Sequence, residues 1–130
     1  MRTKIFIVSI VIYILLAISL YALANNIHNE EYYRARWCQN SKGEAEVVFK
    51  DGTRCDYITD THAIEFDFAS KWAEAIGQSL HYSLMSGKRA GIVLILRSEK
   101  DNRYKVRLER IITEYKLPID LWIIHGWSEK

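Results

Sequence analysis

The chain has 130 residues, of which 49% are hydrophobic and 26% are charged, a composition typical of an ordinary globular protein. This length allows one compact domain with one modest core, and no repeat, low-complexity tract or Gly/Ser-rich linker divides the chain. The formal net charge of +2 excludes a strong positive field over the whole surface, so any contact with nucleic acid requires a local basic patch.

The N-terminus combines a short basic start with a long apolar run. Arg2 and Lys4 precede residues 5–22, which carry no charge. The run ends in Ala-Leu-Ala at 22–24, which matches the small-x-small pattern that signal peptidase accepts. The run is also almost long enough to be an uncleaved membrane-spanning helix.

The sequence therefore predicts residues 1–24 to be a signal peptide or an N-terminal membrane anchor, followed by one domain at 25–130. A positively charged N-terminus stays in the cytoplasm, so the domain is expected on the other side of the membrane. It is then periplasmic or secreted, or anchored in the inner membrane with the domain outside the cytoplasm.

The basic residues are balanced by acids once this segment is set aside. Arg2 and Lys4 are the only charged residues among the first 24, so sixteen basic and sixteen acidic residues follow them. Local candidates for a nucleic-acid patch are Arg34, Arg36, Lys88, Arg89, Arg103, Lys105, Arg107 and Arg110. The last four alternate with acids on a predicted helix, where a solvated face is the simpler interpretation.

The two cysteines, Cys38 and Cys55, form an even pair, which in an exported protein favours one disulfide. Such a bond would stabilise the fold by roughly 3 kcal/mol. The alternative is two free thiols.

Turn and cap signals divide the rest of the chain into an α-β-β-β-α-β-α-β order. Asn29 is a candidate helix cap, Asp51-Gly52 is a strong hairpin turn, and Ser70 is a candidate cap for the next helix. Strands are expected at 43–49, 53–58, 62–68, 90–96 and 119–124, and helices at 30–40, 71–85 and 101–116. The fold class is therefore α/β, with a mixed sheet that starts in a hairpin and is flanked by helices.

Acidic residues converge on the third predicted strand. Side chains alternate between the faces of a strand, so Glu65 and Asp67 share one face while Phe66 points to the other. Asp56 on the preceding strand can approach them across the ladder. Clustered carboxylates repel one another, and a divalent cation such as Mg²⁺ makes the cluster tolerable. The alternative is that these acids lie on an exposed sheet face.

The helix after this strand carries a polar stripe that begins close to the carboxylates. Its members follow one another by three or four residues: Lys71, Glu74, Gln78 and then His81 or Tyr82. Taken alone, such a stripe is typical of plain solvent exposure.

Together these residues resemble the PD-(D/E)XK nuclease superfamily, which has the restriction-endonuclease-like fold with an αβββαβ core. Residues 29–97 follow that order. Asp56 matches the family's Asp on the second strand, and Glu65 matches the acid of (D/E)-x-K on the third. Gln78 and Tyr82 match the Gln-x-x-x-Tyr of some branches, while Glu30 or Glu31 can supply the first-helix Glu of others.

One position departs from the family pattern. Asp67 occupies the place of the family's lysine, and Lys71, one helical turn further on, is the candidate replacement. The resemblance then implies metal-dependent hydrolysis of nucleic-acid phosphodiesters. Asp56, Glu65 and the Phe66 carbonyl would ligate magnesium, and Lys71 would orient the attacking water or neutralise developing charge. Gln78 and Tyr82 would position substrate, with Asp67, Glu74 and Glu46 as further acids around the site.

Two other functions stay open at this point. A catalytically inactive protein could keep the nuclease-like scaffold as an exported binding or interaction module, which the balanced charge and the Asp67 substitution favour. A membrane-tethered accessory subunit follows if the N-terminal helix is retained.

Overall fold

A computed structural model describes the chain at residues 2–24 and 28–128, and side-chain burial at 7–20 and 28–128. The four helices of this part are α1 (Arg2–Ala24), α2 (Glu30–Cys38), α3 (Trp72–Ser86) and α4 (Asn102–Glu114). The five strands are β1 (Gly43–Val48), β2 (Arg54–Thr59), β3 (His62–Phe68), β4 (Arg89–Leu96) and β5 (Ile119–His125).

The five strands form one mixed sheet in the order β1-β2-β3-β4-β5. β1, β2 and β3 pair antiparallel, whereas β3, β4 and β5 pair parallel. This division follows from the connections, because tight turns join antiparallel strands and parallel strands require a crossover. The first turn contains Asp51-Gly52, where Gly52 has a φ of +84°, and α3 and α4 form the two crossovers.

Both faces of the central strand are covered. Ile92 and Leu94 of β4 pack beneath α3 and α4, while Val93 and Ile95 pack on the other face with the aromatic side chains of α2. All four are 0% exposed. The continuous apolar run at 90–96 therefore indicates a central strand correctly.

The mixed α/β class, the element order and the placement of each predicted strand are confirmed. The expected Ser70 cap is wrong, since α3 begins after a 3₁₀ turn at Ala69–Lys71 and has no side-chain capping bond. Ala69, the first residue of this turn, is buried in the core beneath α3, and α3 begins at Trp72.

Within residues 2–24 and 28–128, no helix is long and apolar enough to span a membrane. The predicted cleavage point after Ala24 adjoins residues 25–27, which lie outside the described residues. The choice between signal peptide and anchor stays a prediction.

The predicted disulfide between Cys38 and Cys55 is wrong, because both cysteines are free. Cys55 is fully buried beneath α3 with Ala63 and Tyr82, and its Sγ lies 3.5 Å from the Ile64 carbonyl oxygen. Cys38 ends α2 and packs with the aromatic cluster on the opposite face of the sheet. The sheet thus separates the two thiols.

Thiol titration of the full chain without reductant tests this separation. Native protein should react at Cys38 but not at Cys55, because Cys55 is buried and burial raises its pKa to about 11. Two thiols should react after unfolding in denaturant. A denatured chain that releases no thiol until a reductant is added would show that the bond exists.

Candidate functional site

The Asp56 side chain lies where β2 and β3 separate. The two strands pair only at Tyr57–Ile64 and Ile58–Ala63. Beyond those pairs, the Phe66 backbone N–H donates to Asp56 Oδ2 at 2.9 Å, so a carboxylate replaces the strand carbonyl that would continue the ladder. Asp56 is therefore fixed between the two strands rather than on an open sheet face.

A small pocket opens beside Asp56, with a volume of about 190 Å³. We call it the acid pocket. It is lined by Glu30, Arg54, Asp56, Glu65, Phe66, Asp67, Lys71, Glu74 and Gln78. Residues from α2, β2, β3 and α3 therefore meet at one point, which the alternation of β3 and the polar stripe of α3 predict.

Glu65 is the most strongly perturbed group of the acid pocket. Its side chain is buried, and its Oε2 has no hydrogen-bond partner among the described residues. Burial raises the pKa of Glu65 to about 9, and the neighbouring charges of Asp56, Asp67 and Glu30 act in the same direction. Lys71 only partly opposes this rise. A buried oxygen without a donor is costly, so the site has capacity for a ligand that supplies positive charge.

Lys71 lies against Asp67, which is one helical turn before it. Its Nζ lies 3.2 Å from Asp67 Oδ1 and 3.2 Å from Glu30 Oε1. Burial raises the pKa of Asp67 to about 7, although Lys71 counteracts it. The contacts with Glu30 and Asp67 raise the pKa of Lys71, so Lys71 stays a cation at neutral pH.

The polar stripe of α3 divides at this point. Glu74 and Gln78 line the acid pocket, and Gln78 Oε1 is a second buried oxygen without a partner among the described residues. Tyr82 does not line it. Tyr82 is buried against Cys55 and Ala63, and burial, together with the charge of Glu65, raises its pKa to about 12.

A wider cleft of about 600 Å³ continues from the acid pocket past α2. Glu46 lies here, where it forms ion pairs with Arg34 and with Arg54. Arg34 Nη1 also lies 3.5 Å from Asp56 Oδ1. Glu46 adopts a φ of +59°, and the pairing of β1 with β2 skips it and resumes on either side. Glu46 thus holds arginines at the entrance and does not enter the acid pocket.

Arg54 also lines the acid pocket, although it is not among the site residues predicted from the sequence. It lines both cavities and lies two positions before Asp56 on the same strand. This spacing places the two side chains on one side of β2, which is the signal that could have identified it.

The lining fits a hard cation that takes oxygen ligands. Among the described residues, no group of three or more His, Cys, Asp or Glu side chains is arranged to hold a metal ion. Magnesium is commonly bound by one or two carboxylates and several waters. Asp56 and Glu65 can supply the carboxylates. The unpartnered Glu65 Oε2 is the observation that supports this fit.

Comparison with protein-family models, curated proteins and solved structures finds no match to this chain.

The raised pKa of Glu65 predicts how stability depends on pH in the absence of metal. Glu65 has a pKa of about 9 in the folded protein, whereas an ordinary glutamate has a pKa of 4.5. The native state then binds more protons between these pH values, so the free energy of unfolding falls as pH rises through them. Glu65→Gln should make this fall less steep, by up to about 1.4 kcal/mol per pH unit.

Urea unfolding in EDTA from pH 5 to 8 measures the effect. Glu74→Gln is the matched control, because Glu74 lines the same pocket but is exposed. A wild-type slope that Glu65→Gln leaves unchanged would contradict the prediction.

Proposed function

We propose that this protein is a metal-dependent nuclease-like hydrolase of nucleic-acid phosphodiesters, built on a restriction-endonuclease-like αβββαβ core. The observation that carries the proposal is the buried, unpartnered Glu65 carboxylate oxygen next to Asp56, with a lysine at the rim. The sheet order and the position of α3 between β3 and β4 support the core assignment.

Asp56 and Glu65 would hold Mg²⁺, together with the Phe66 carbonyl. In a β-strand, the N–H and the C=O of one residue point toward the same adjacent strand. The Phe66 N–H points to Asp56, so its carbonyl faces that side too. Bound magnesium would lower the pKa of a coordinated water and stabilise negative charge on the phosphate.

Lys71 replaces the missing strand lysine in this proposal. Its ammonium lies against Asp67, the residue that stands in the lysine position. A lysine can act from another backbone position because it is a point charge on a flexible stem. Being held protonated, Lys71 orients the water and neutralises developing charge rather than removing a proton. Gln78, with a free amide oxygen in the pocket, positions substrate or a water.

A catalytically inactive binding module is the second candidate. The acid pocket and the adjoining cleft carry more carboxylates than basic groups, which repels a phosphate chain until a cation is bound. Glu30 also engages Lys71 directly. Activity with magnesium distinguishes the two candidates.

The full chain should therefore cleave nucleic acid in the presence of Mg²⁺, and Lys71→Ala should lower the rate by at least about 100-fold, the loss typical of one electrostatic stabiliser. Lys71→Ala should still bind magnesium, whereas Glu65→Ala should lose both cleavage and binding. Gel assays with DNA and RNA measure cleavage, and calorimetry measures magnesium binding.

Lys42→Ala removes an exposed lysine away from the pocket and should cut like wild type. If Lys71→Ala also cuts like wild type, Lys71 is not the replacement lysine. If the wild type neither cuts DNA or RNA nor binds magnesium, the hydrolase proposal is wrong and the non-catalytic candidates remain.

We also propose that the domain acts outside the cytoplasm, either released by cleavage or held by the N-terminal segment. The support is Arg2 and Lys4 before an uncharged run over residues 5–22.

A reporter enzyme that is active only in the periplasm, fused after Lys130, should therefore be active. The same reporter fused to residues 28–130 serves as the control and should be inactive. Activity of a cytoplasm-specific reporter alone on the full chain would exclude export.

A further inference from the structure

A third cavity lies on the surface of the two crossover helices, away from the sheet. It has a volume of about 600 Å³ and is bounded by the start of α3 and the C-terminal half of α4. We call it the α3–α4 groove. It is lined by Trp72, Arg107, Arg110, Ile111, Glu114 and Tyr115.

Two aromatic side chains line the groove, and they differ in how much of each ring is exposed to solvent. Trp72 is half-buried and packs against the core, which fixes its position. Tyr115 follows the last residue of α4 and is 72% exposed, so most of its ring lacks any packing partner. An exposed ring near a fixed one offers the flat apolar surfaces on which nucleobases stack.

Two arginines lie beside these rings. Arg107 and Arg110 are exposed, and neither forms an ion pair with another described residue. Glu114 is the one acid in the lining. Guanidinium groups pair well with phosphates and are weakly hydrated, so they suit this position. The groove is therefore basic where the acid pocket is acidic.

The acid pocket and the α3–α4 groove each include one residue at the start of α3. Lys71 lines the acid pocket and Trp72 lines the groove, and these residues are consecutive.

We propose that the α3–α4 groove binds single-stranded nucleic acid, with bases stacked on Trp72 and Tyr115 and phosphates on Arg107 and Arg110. This inference rests on the proposed function and names its substrate class. Single strands expose the faces of their bases, whereas a duplex stacks them internally. An acidic peptide would satisfy the arginines but has no bases for the two rings.

Binding of the full chain in a non-ionic detergent, with EDTA to prevent cleavage, tests the groove. The probes are a fluorescent single-stranded oligonucleotide, the same sequence as a duplex, and a poly-glutamate peptide, all measured by anisotropy at one low salt concentration. The single strand should bind most tightly.

Tyr115→Ala should weaken single-strand binding by about 5- to 100-fold, the loss of one stacked base, while Tyr115→Phe should keep it. Arg107→Glu with Arg110→Glu should also weaken it. Lys100→Glu makes the same kind of charge change just before α4, outside the groove, and should change binding little. Tyr115 is chosen over Trp72 because it is exposed and its loss leaves the core intact.

Hydrolysis of bis(p-nitrophenyl) phosphate with magnesium reports on the acid pocket alone and separates the two proposals. Tyr115→Ala should leave this activity unchanged, and Lys71→Ala should lower it. If the wild type hydrolyses the small ester but binds the duplex or the peptide as tightly as the single strand, or if Tyr115→Ala binds like wild type, the groove proposal is wrong. If Tyr115→Ala loses binding but the wild type hydrolyses nothing, the groove stands and the hydrolase proposal fails.

Discussion

The hydrogen bond from the Phe66 backbone N–H to Asp56 Oδ2 is the interaction on which the acid pocket depends. It stops the β2–β3 ladder after two residue pairs and holds a carboxylate in the gap. Glu65 and Asp67, on either side of Phe66, share the face of β3 that α3 covers, and they line the acid pocket with Asp56. The Asp56 side chain thus lies in a gap between two interior strands, and the acid pocket opens beside it.

Most of the fold is readable from the sequence because the local signals agree with one another. Strict alternation at His62–Phe68 fixes both the strand and the face that carries Glu65 and Asp67. The uninterrupted apolar run in β4 is what a strand covered on both faces requires. The parallel arrangement of β3, β4 and β5 follows once helices are recognised between them.

The parts that the sequence does not predict depend on distances between separate elements. Cys38 and Cys55 are suitable in number for a disulfide, but the pairing is decided by which face of the sheet each thiol occupies. Tyr82 has the spacing of a pocket residue, yet it is buried in the core with Cys55, Ala63 and the nearby Phe49 ring. Arg54 gains its role only because β2 and β3 separate beside it.

Glu46 has a consequence beyond its ion pairs with Arg34 and Arg54. β1 is an edge strand, and an intact edge is a template onto which a strand from a second molecule can add. The left-handed backbone at Glu46 interrupts this edge near the middle of β1, and the same position carries the charged Glu46 side chain. The residue that lines the cleft therefore also makes β1 a poorer template for pairing with a strand of a second molecule.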